Sequence, residues 1–223
     1  MSFAAILLDL DGTLVDSERE SAEAMARVLI RDLGLPIDQA DRDYVVGHSW
    51  NEIDAWLRAK YGAKMAWTFG ELIARSSAER ELVIAEAGLT IMQGARELVR
   101  RFAHLPRAIV TGSSRAEAAA SVAHLGIADQ LQFVLASEDM PRGKPFPDGY
   151  LAAAERLGVA PARCLVLEDS AAGIAAGRAA GMTVIGVRIG NFLNQDQSAA
   201  HEVVETLDHV TAELLARLAG RVA

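Results

Sequence analysis

The stretch Ala4-Ala5-Ile6-Leu7-Leu8-Asp9-Leu10-Asp11-Gly12-Thr13 decides the fold of this 223-residue chain. Its apolar half is short and continuous, which is typical of a strand buried on both faces of a parallel sheet. Asp9 and Asp11 are alternate residues, and alternate residues of an extended strand share a face. Both carboxylates are therefore predicted to reach one reacting group, while Gly12 permits a tight turn. This pattern suits a carboxylate nucleophile beside an acid/base partner.

Polar clusters follow other apolar strands, as well as this first one. They are Thr111-Gly112-Ser113-Ser114 after Ala108-Ile109-Val110, then Lys144-Pro145-Phe146-Pro147-Asp148, and Glu168-Asp169-Ser170 after Cys164-Leu165-Val166-Leu167. In an open parallel α/β sheet, the active crevice lies outside the carboxyl ends of the strands. We therefore expect these clusters to meet the two aspartates of the first stretch.

Taken in order, these segments resemble the four motifs of the haloacid dehalogenase (HAD) superfamily. The Lys144–Asp148 and Glu168–Ile174 stretches are most similar to the branch that contains β-phosphoglucomutase and small sugar-phosphate phosphatases. One such motif would be weak evidence, but four in order at predicted strand ends are specific. The resemblance covers nearly all of the chain. It implies an α/β fold with a Rossmann-like parallel sheet core and an inserted α-helical cap domain.

Composition predicts a compact enzyme of the cytoplasm. The one cysteine, Cys164, lies in an apolar strand, which excludes an internal disulfide framework and suits a reducing compartment. No apolar run approaches membrane-spanning length, and the short apolar stretch near the N-terminus lacks a preceding basic region. We expect a monomer that does not bind membranes.

The net charge of −8 carries two consequences. It argues against nucleic acid as a partner, because binding to phosphate backbones needs clustered Lys and Arg. It also means that acidic catalytic residues would repel a small phosphorylated metabolite. A bridging cation is needed, and Mg²⁺ is suited to carboxylates and phosphate oxygens. Mg²⁺ is thus the expected cofactor.

Helical periodicity between the first two strands predicts the cap. Helices are expected at 18–32, 49–61 and 67–86, and Gly34 ends the first of them. This is too much helix for a simple crossover, so residues 16–88 are interpreted as a helical cap domain. Residues 1–15 and 89–223 then form the core, in which strands and helices alternate. Within it Gly173, Gly177 and Gly181 are interpreted as a face for close packing of a helix on the sheet.

By the resemblance, Asp9 is the nucleophile that forms an aspartyl phosphate. Asp11 is the general acid for the leaving alkoxide and later the base that activates water. The same resemblance assigns the metal to the Asp9 carboxylate, the Asp11 backbone carbonyl and Asp169. Glu168 is either a further ligand through water or a residue that only supports the ligands.

The phosphoryl oxygens would be held, again by resemblance, by the Thr111 hydroxyl, the backbone amides of Gly112 and Ser113, and the Lys144 ammonium. Pro145 fixes the backbone beside Lys144, which favours this role over a solvated surface lysine. Ser114 precedes a predicted helix at 115–125 and is interpreted as its N-cap.

Substrate choice is expected to come from the cap. The segment Gly47-His48-Ser49-Trp50-Asn51-Glu52 has the position and part of the pattern of this branch's specificity loop. His48 and Trp50 are candidates to meet a sugar, although Ser49 capping a helix whose Trp50 packs in the cap explains the segment equally well. Arg75 is a candidate basic contact, with a solvated helix face as the alternative.

The branch contains both hydrolases and isomerases. β-Phosphoglucomutases carry a histidine on the cap that helps to coordinate cap closure with acid/base chemistry, and the matching position here is Ser21. This favours a phosphatase acting on a sugar or polyol phosphate over a phosphosugar mutase. A dehalogenase needs neither Asp11 nor Asp169, and a non-catalytic binding module need not keep the full set of acids. The predicted function is therefore a Mg²⁺-dependent phosphatase.

Overall fold

The structure is a computed structural model that describes residues 2–46, 48, 50–192 and 194–221. The chain divides into two compact units. The first combines Met1–Val15 with Ile91–Ala223, and the second is Asp16–Thr90.

The first unit is built on a parallel sheet. In chain order, the strands of the described residues are β1 (Ala5–Leu8), β2 (Val15–Asp16), β3 (Thr90–Ile91), β4 (Arg107–Val110), β5 (Phe133–Leu135), β6 (Cys164–Glu168), β7 (Thr183–Val187) and β8 (Glu202–Val204). All but the short β2 and β3 belong to the large sheet. Among the described residues the large sheet has the order β5-β4-β1-β6-β7-β8. The predicted Rossmann-like parallel sheet is confirmed.

Strand register brings the polar clusters to one edge of this sheet. Leu8 in β1 is level with Ile109 in β4 and with Leu167 in β6. Asp9 follows immediately, and its N–H donates to the Leu167 carbonyl at 3.0 Å. The chain therefore leaves three neighbouring strands at the same height, with their polar residues just beyond.

Helices cover the sheet because its central strands are apolar on both faces. The helices of this unit are α5 (Ala95–Arg101), α6 (Arg115–Leu125), α7 (Asp148–Leu157), α8 (Ala171–Ala179) and α9 (Ala212–Arg221). Helices α1 to α4 belong to the second unit. All four residues of β1 are buried, and α7 packs against β1 and β4. Helix α8 packs on β6 and β7, where a side chain at Gly177 would press on Val184 and Val166. Close helix-to-sheet packing is thus confirmed as a role of this glycine.

The second unit is helical. Its elements are α1 (Glu18–Leu33), α2 (Gln39–Val45), α3 (Trp50–Tyr61) and α4 (Phe69–Ala87). Helix α1 ends as predicted at Gly34, whose left-handed backbone lets its N–H donate to the carbonyl of Ile30. Helices α1 and α4 pack together, and buried residues such as Met25, Leu57 and Leu72 form the core of the unit.

Several elements escaped prediction. Helix α2 begins with a capping box in which Asp38 and Asp41 each accept from the other's backbone N–H. Its seven residues are too few for a clear apolar period, and the edge strand β8 has only three residues. In the part of the chain that is described, no helix combines the length and apolar character needed to cross a membrane.

Candidate active site

Asp9 lies at the centre of a buried charged cluster at the carboxyl edge of the sheet. Asp9 is 5% exposed, and its Oδ1 is 2.5 Å from the Lys144 ammonium nitrogen. The two residues are brought together by the end of β1 and by the loop before α7, although 135 positions separate them in sequence. Lys144 is joined to Pro145 by a cis peptide bond.

Lys144 also pairs with a second carboxylate. Its nitrogen is 2.5 Å from Glu168 Oε1, and Glu168 is fully buried at the last position of β6. The same Oε1 accepts from the Tyr150 hydroxyl at 3.0 Å. Glu168 Oε2 accepts from the backbone N–H and the hydroxyl of Ser170, at 3.2 and 3.0 Å. Both oxygens of Glu168 therefore already have protein donors.

Asp169 is held beside this cluster. Its Oδ1 accepts from the buried Thr13 hydroxyl at 3.2 Å, and its backbone carbonyl accepts from Gln197. Gly12 has a φ of +83°, and a Cβ at that position would overlap the Asp169 carboxylate. Glycine is required here for both the turn and the close approach of the first motif to the fourth.

The Asp11 carboxylate contacts the second motif instead. Its Oδ2 accepts from the Thr111 hydroxyl at 3.1 Å and from the Ser113 hydroxyl at 2.5 Å. Thr111 Oγ1 in turn accepts from the Ser113 backbone N–H at 3.0 Å, and Gly112 between them is exposed. Ser114 caps α6 by accepting from the Glu117 N–H, so the N-cap prediction is confirmed.

The cluster holds more negative charge than its one ammonium group can offset. Burial, followed by the negative charge of Glu168, raises the pKa of Asp9 to about 7, and Lys144 only partly opposes the rise. Burial and the neighbouring charges of Asp9 and Glu168 also hold the pKa of Asp169 well above its usual range. Burial lowers the pKa of Lys144, but the two adjacent carboxylates outweigh this effect and hold it above its ordinary value.

This donor set fits a divalent cation. One oxygen from each of Asp9, Glu168 and Asp169 lies within 4.8 Å of the others, and all three residues are buried. Carboxylate oxygens are the ligands that Mg²⁺ prefers, and two positive charges would relieve the repulsion that, together with burial, raises the pKa values of Asp9 and Asp169. Asp9 and Asp169 fit direct coordination better than Glu168, whose oxygens are occupied by Lys144, Tyr150 and Ser170.

The candidates in the helical unit have partners of their own. The His48 ring stacks on Tyr44 with ring centroids 4.0 Å apart, and the half-buried Trp50 packs against the core of the unit. Arg75 lies over the Trp67 ring at 4.8 Å and pairs with Asp32 at 3.4 Å. Gly47 and Ser49, the other predicted members of the loop, lie outside the described residues.

Sequence reasoning missed two members of the cluster in the sheet unit. The sequence pattern assigned no role to Thr13, yet its hydroxyl donates to Asp169. Tyr150 was passed over inside an apolar helix. A tyrosine at a core position of an Ala- and Leu-rich helix is a usable signal, because its hydroxyl must find a buried partner.

The comparisons with known proteins identify the family of this chain. Residues 3–181 match the family model of the haloacid dehalogenase-like hydrolases. The chain is 34% identical over 187 residues to validoxylamine A 7'-phosphate phosphatase of Streptomyces hygroscopicus subsp. limoneus, covering 83% of this chain and 85% of that protein. It is 29% identical over 217 residues to β-phosphoglucomutase of Bacillus subtilis, covering 95% and 93%.

Structural comparison gives the same family. An HAD family hydrolase from Deinococcus radiodurans R1, solved with bound phosphate and sodium, has a TM-score of 0.73 and 28% identity, covering 97% of this chain and 96% of that one. This chain therefore belongs to the haloacid dehalogenase-like hydrolases.

Proposed function

We propose that this protein is a Mg²⁺-dependent phosphatase of small phosphomonoesters, with a sugar or polyol phosphate as substrate. The observation that carries the proposal is the contact of Asp9 with Lys144, beside Asp169, at the carboxyl edge of the parallel sheet. A nucleophilic carboxylate, a cation for the phosphoryl oxygens and a second carboxylate for a metal are thereby collected in one place. The validoxylamine A 7'-phosphate phosphatase among its relatives supports this reaction class.

In the proposed first step, an Asp9 carboxylate oxygen attacks phosphorus in line, and the bond from phosphorus to the substrate's alkoxide oxygen breaks. Asp11 donates a proton to that oxygen, so an alcohol leaves and an aspartyl phosphate remains. In the second step, water attacks the phosphoryl group while Asp11 takes its proton. Inorganic phosphate departs, and the Asp9 carboxylate is restored.

The surrounding residues bind and orient the phosphoryl group. The Lys144 ammonium exchanges its contact with the Asp9 carboxylate for a contact with the negatively charged phosphoryl oxygens. The hydroxyls of Thr111 and Ser113 donate to Asp11 in this structure. In the proposal they donate to the phosphoryl oxygens when substrate binds, and the backbone amides of Gly112 and Ser113 do the same.

The metal would be held by the carboxylates of Asp9 and Asp169 and by the Asp11 carbonyl. When bound, Mg²⁺ supplies positive charge that offsets the repulsion between these acids and the phosphate. Glu168 is proposed to hold Lys144 in place. The assignment of His48, Trp50 and Arg75 to substrate selection stays a prediction, which alanine variants would test through relative kcat/KM values across a substrate panel.

A phosphosugar mutase is the alternative, given the similarity to β-phosphoglucomutase. Ser21 favours hydrolysis, because it stands where the mutases have histidine and its hydroxyl donates to the Ser17 carbonyl of its own helix at 2.8 Å. It therefore offers no acid/base group to replace that histidine.

Phosphate release from a panel of sugar and polyol phosphates, with Mg²⁺ and with EDTA, tests the proposal. β-Glucose 1-phosphate with a catalytic amount of the bisphosphate is the discriminating substrate. We expect inorganic phosphate to accumulate. Conversion mainly to glucose 6-phosphate would establish the mutase instead.

A further inference from the structure

Tyr150 connects the interior of the sheet unit to the charged cluster. It is 1% exposed and lies on α7, where its hydroxyl donates to Glu168 Oε1 at 3.0 Å. The Lys144 nitrogen lies 5.5 Å from the centroid of the Tyr150 ring. The ring therefore lies beside the ammonium that is proposed to hold the phosphoryl oxygens, and the hydroxyl is bound to a carboxylate that pairs with that ammonium.

The hydrogen bonds of Glu168 show which of its partners can move. Its Oε2 accepts from Ser170, the N-cap of α8, and a side chain at Gly173 would overlap the carboxylate. Its Oε1 is shared by the Tyr150 hydroxyl and the Lys144 ammonium. The tyrosine is fixed by the packing of α7 on the sheet, whereas the lysine has a flexible four-carbon stem.

We infer that Tyr150 is a positioning residue for Lys144. By supplying one hydrogen bond to Glu168 Oε1, it leaves the ammonium shared between Glu168 and Asp9. The inference rests on the proposed function, because it deepens the role given there to Lys144. Tyr150 itself does not touch the reacting atoms.

Removal of the Tyr150 hydroxyl alone tests whether this residue positions Lys144. A buried carboxylate that loses a donor is undersatisfied, and an ammonium with three N–H donors is the partner that can compensate. In Tyr150→Phe, Lys144 is therefore expected to shift towards Glu168 and away from Asp9. The ring contact with the ammonium is kept, so the change is confined to the hydrogen bond.

The chain offers a matched control in its helical unit. The Tyr61 hydroxyl also donates to a buried carboxylate, that of Asp41. Tyr61→Phe therefore removes the same atom from the same kind of hydrogen bond outside the proposed catalytic machinery. Thermal melting of both variants reports their folding and the structural cost of each hydroxyl.

The first measurement is the dissociation constant of inorganic phosphate in the presence of Mg²⁺, by calorimetry, with KM and kcat for the best phosphomonoester beside it. We expect Tyr150→Phe to weaken phosphate binding and to raise KM by about tenfold, the loss expected from one hydrogen bond to a charged group. Its kcat should fall less than its KM rises, and Tyr61→Phe should match the wild type in all three. A Tyr150→Phe variant that only melts earlier, with unchanged phosphate affinity and KM, would show a merely structural role and overturn the inference.

The second measurement does not depend on turnover. Crystal structures of the wild type and Tyr150→Phe should show the Lys144 nitrogen in contact with Asp9 only in the wild type. An unmoved lysine in the variant would overturn the positioning role even if phosphate binding changed. If the wild type hydrolysed no phosphomonoester, the proposed function would fail, and the lysine position in the two crystal structures would still decide the inference.

Discussion

Each unit of this protein contains a buried aspartate among partners, and the two differ in charge balance. In the helical unit, Asp41 is 1% exposed and accepts from Tyr61, from Lys60 at 2.9 Å, from Trp56 at 3.0 Å and from the Asp38 N–H at 3.1 Å. Burial acts to raise its pKa, but these donors outweigh burial and lower the pKa of Asp41 to about 2.

The sheet unit shows the opposite balance. Asp9 and Glu168 share the Lys144 ammonium with Asp169 close beside them, and burial with mutual repulsion raises the pKa of Asp9 to about 7. A carboxylate that the protein satisfies completely is part of the fold. A cluster that the protein leaves with excess negative charge while burying it is what the proposed Mg²⁺ site requires.

The largest expected effect comes from the nucleophile. Asp9→Asn keeps the size of the side chain but cannot form the aspartyl phosphate, so we expect kcat to fall by at least about a thousandfold. The variant should fold, as circular dichroism would check. Asp41→Asn is the control from the other unit, and its kcat at a temperature where it is folded should match the wild type. Phosphate release by folded Asp9→Asn at the wild-type rate would remove Asp9 from this role.

A smaller loss is expected at the metal. Asp169→Ala deletes a proposed ligand, so Mg²⁺ affinity and activity should fall together by about 10–100-fold or more, with partial recovery at high Mg²⁺. Calorimetry of Mg²⁺ binding beside phosphate-release assays would check this. Wild-type enzyme that stays fully active after exhaustive chelation would contradict the metal requirement.

In the helical unit the expected effect is on stability alone. Asp41→Asn should lower the free energy of unfolding at pH 7 by about 1–3 kcal/mol, because several donors lose a charged acceptor that is buried. The folded-state pKa is below the ordinary value of 3.8, so this stabilisation is present above pH 4 and is lost as the pH falls towards 2. Urea melts at several pH values should show that the difference in the free energy of unfolding between Asp41→Asn and the wild type becomes smaller as the pH falls over that range. A difference that is independent of pH would show that the Asp41 charge is not its source.

The smallest expected effect is a gain in stability, and it comes from a substitution in the sheet unit. Between about pH 4 and 7, folded Asp9 holds a proton that the unfolded chain has released, so ionisation of Asp9 destabilises the metal-free protein as the pH rises. The melting temperature of metal-free Asp9→Asn should therefore lie a few degrees above that of metal-free wild type at pH 7.5. For a chain of this size, each kcal/mol of added stability raises the melting temperature by about 2–4 °C. The difference should shrink towards pH 4. Thermal melts in EDTA that show no difference at pH 7.5 would refute the excess of charge.

The sequence predicted the sheet because its strands are short, apolar runs that end in polar motifs. β1, β4 and β6 were each expected within a residue of their observed bounds, and the motifs at their ends follow directly from parallel register. The predicted helix at 115–125 was also found with its N-cap. Helix α2 could not be found by periodicity, since it is short and its capping box is built from two aspartates that also occur in loops.

Within the candidate site, the sequence predicted which residues come together at the carboxyl edge of the sheet, but it could not predict how they pair. Asp9 and Asp11 share a strand face in the pattern, yet Asp9 pairs with Lys144 while Asp11 contacts Thr111 and Ser113. Those partners come from loops more than 90 residues away in sequence.

What the sequence determined by itself was the class of fold, the family and most of the polar groups of the cluster, because local patterns and motif order encode these directly. Only the tertiary structure decided how the charges are compensated. Glu168 and Asp169 are neighbours in sequence, but one is satisfied by Tyr150, Ser170 and Lys144, while the other joins Asp9 in a buried surplus of negative charge. Burial and long-range donors set that difference, and neither can be read from adjacent residues.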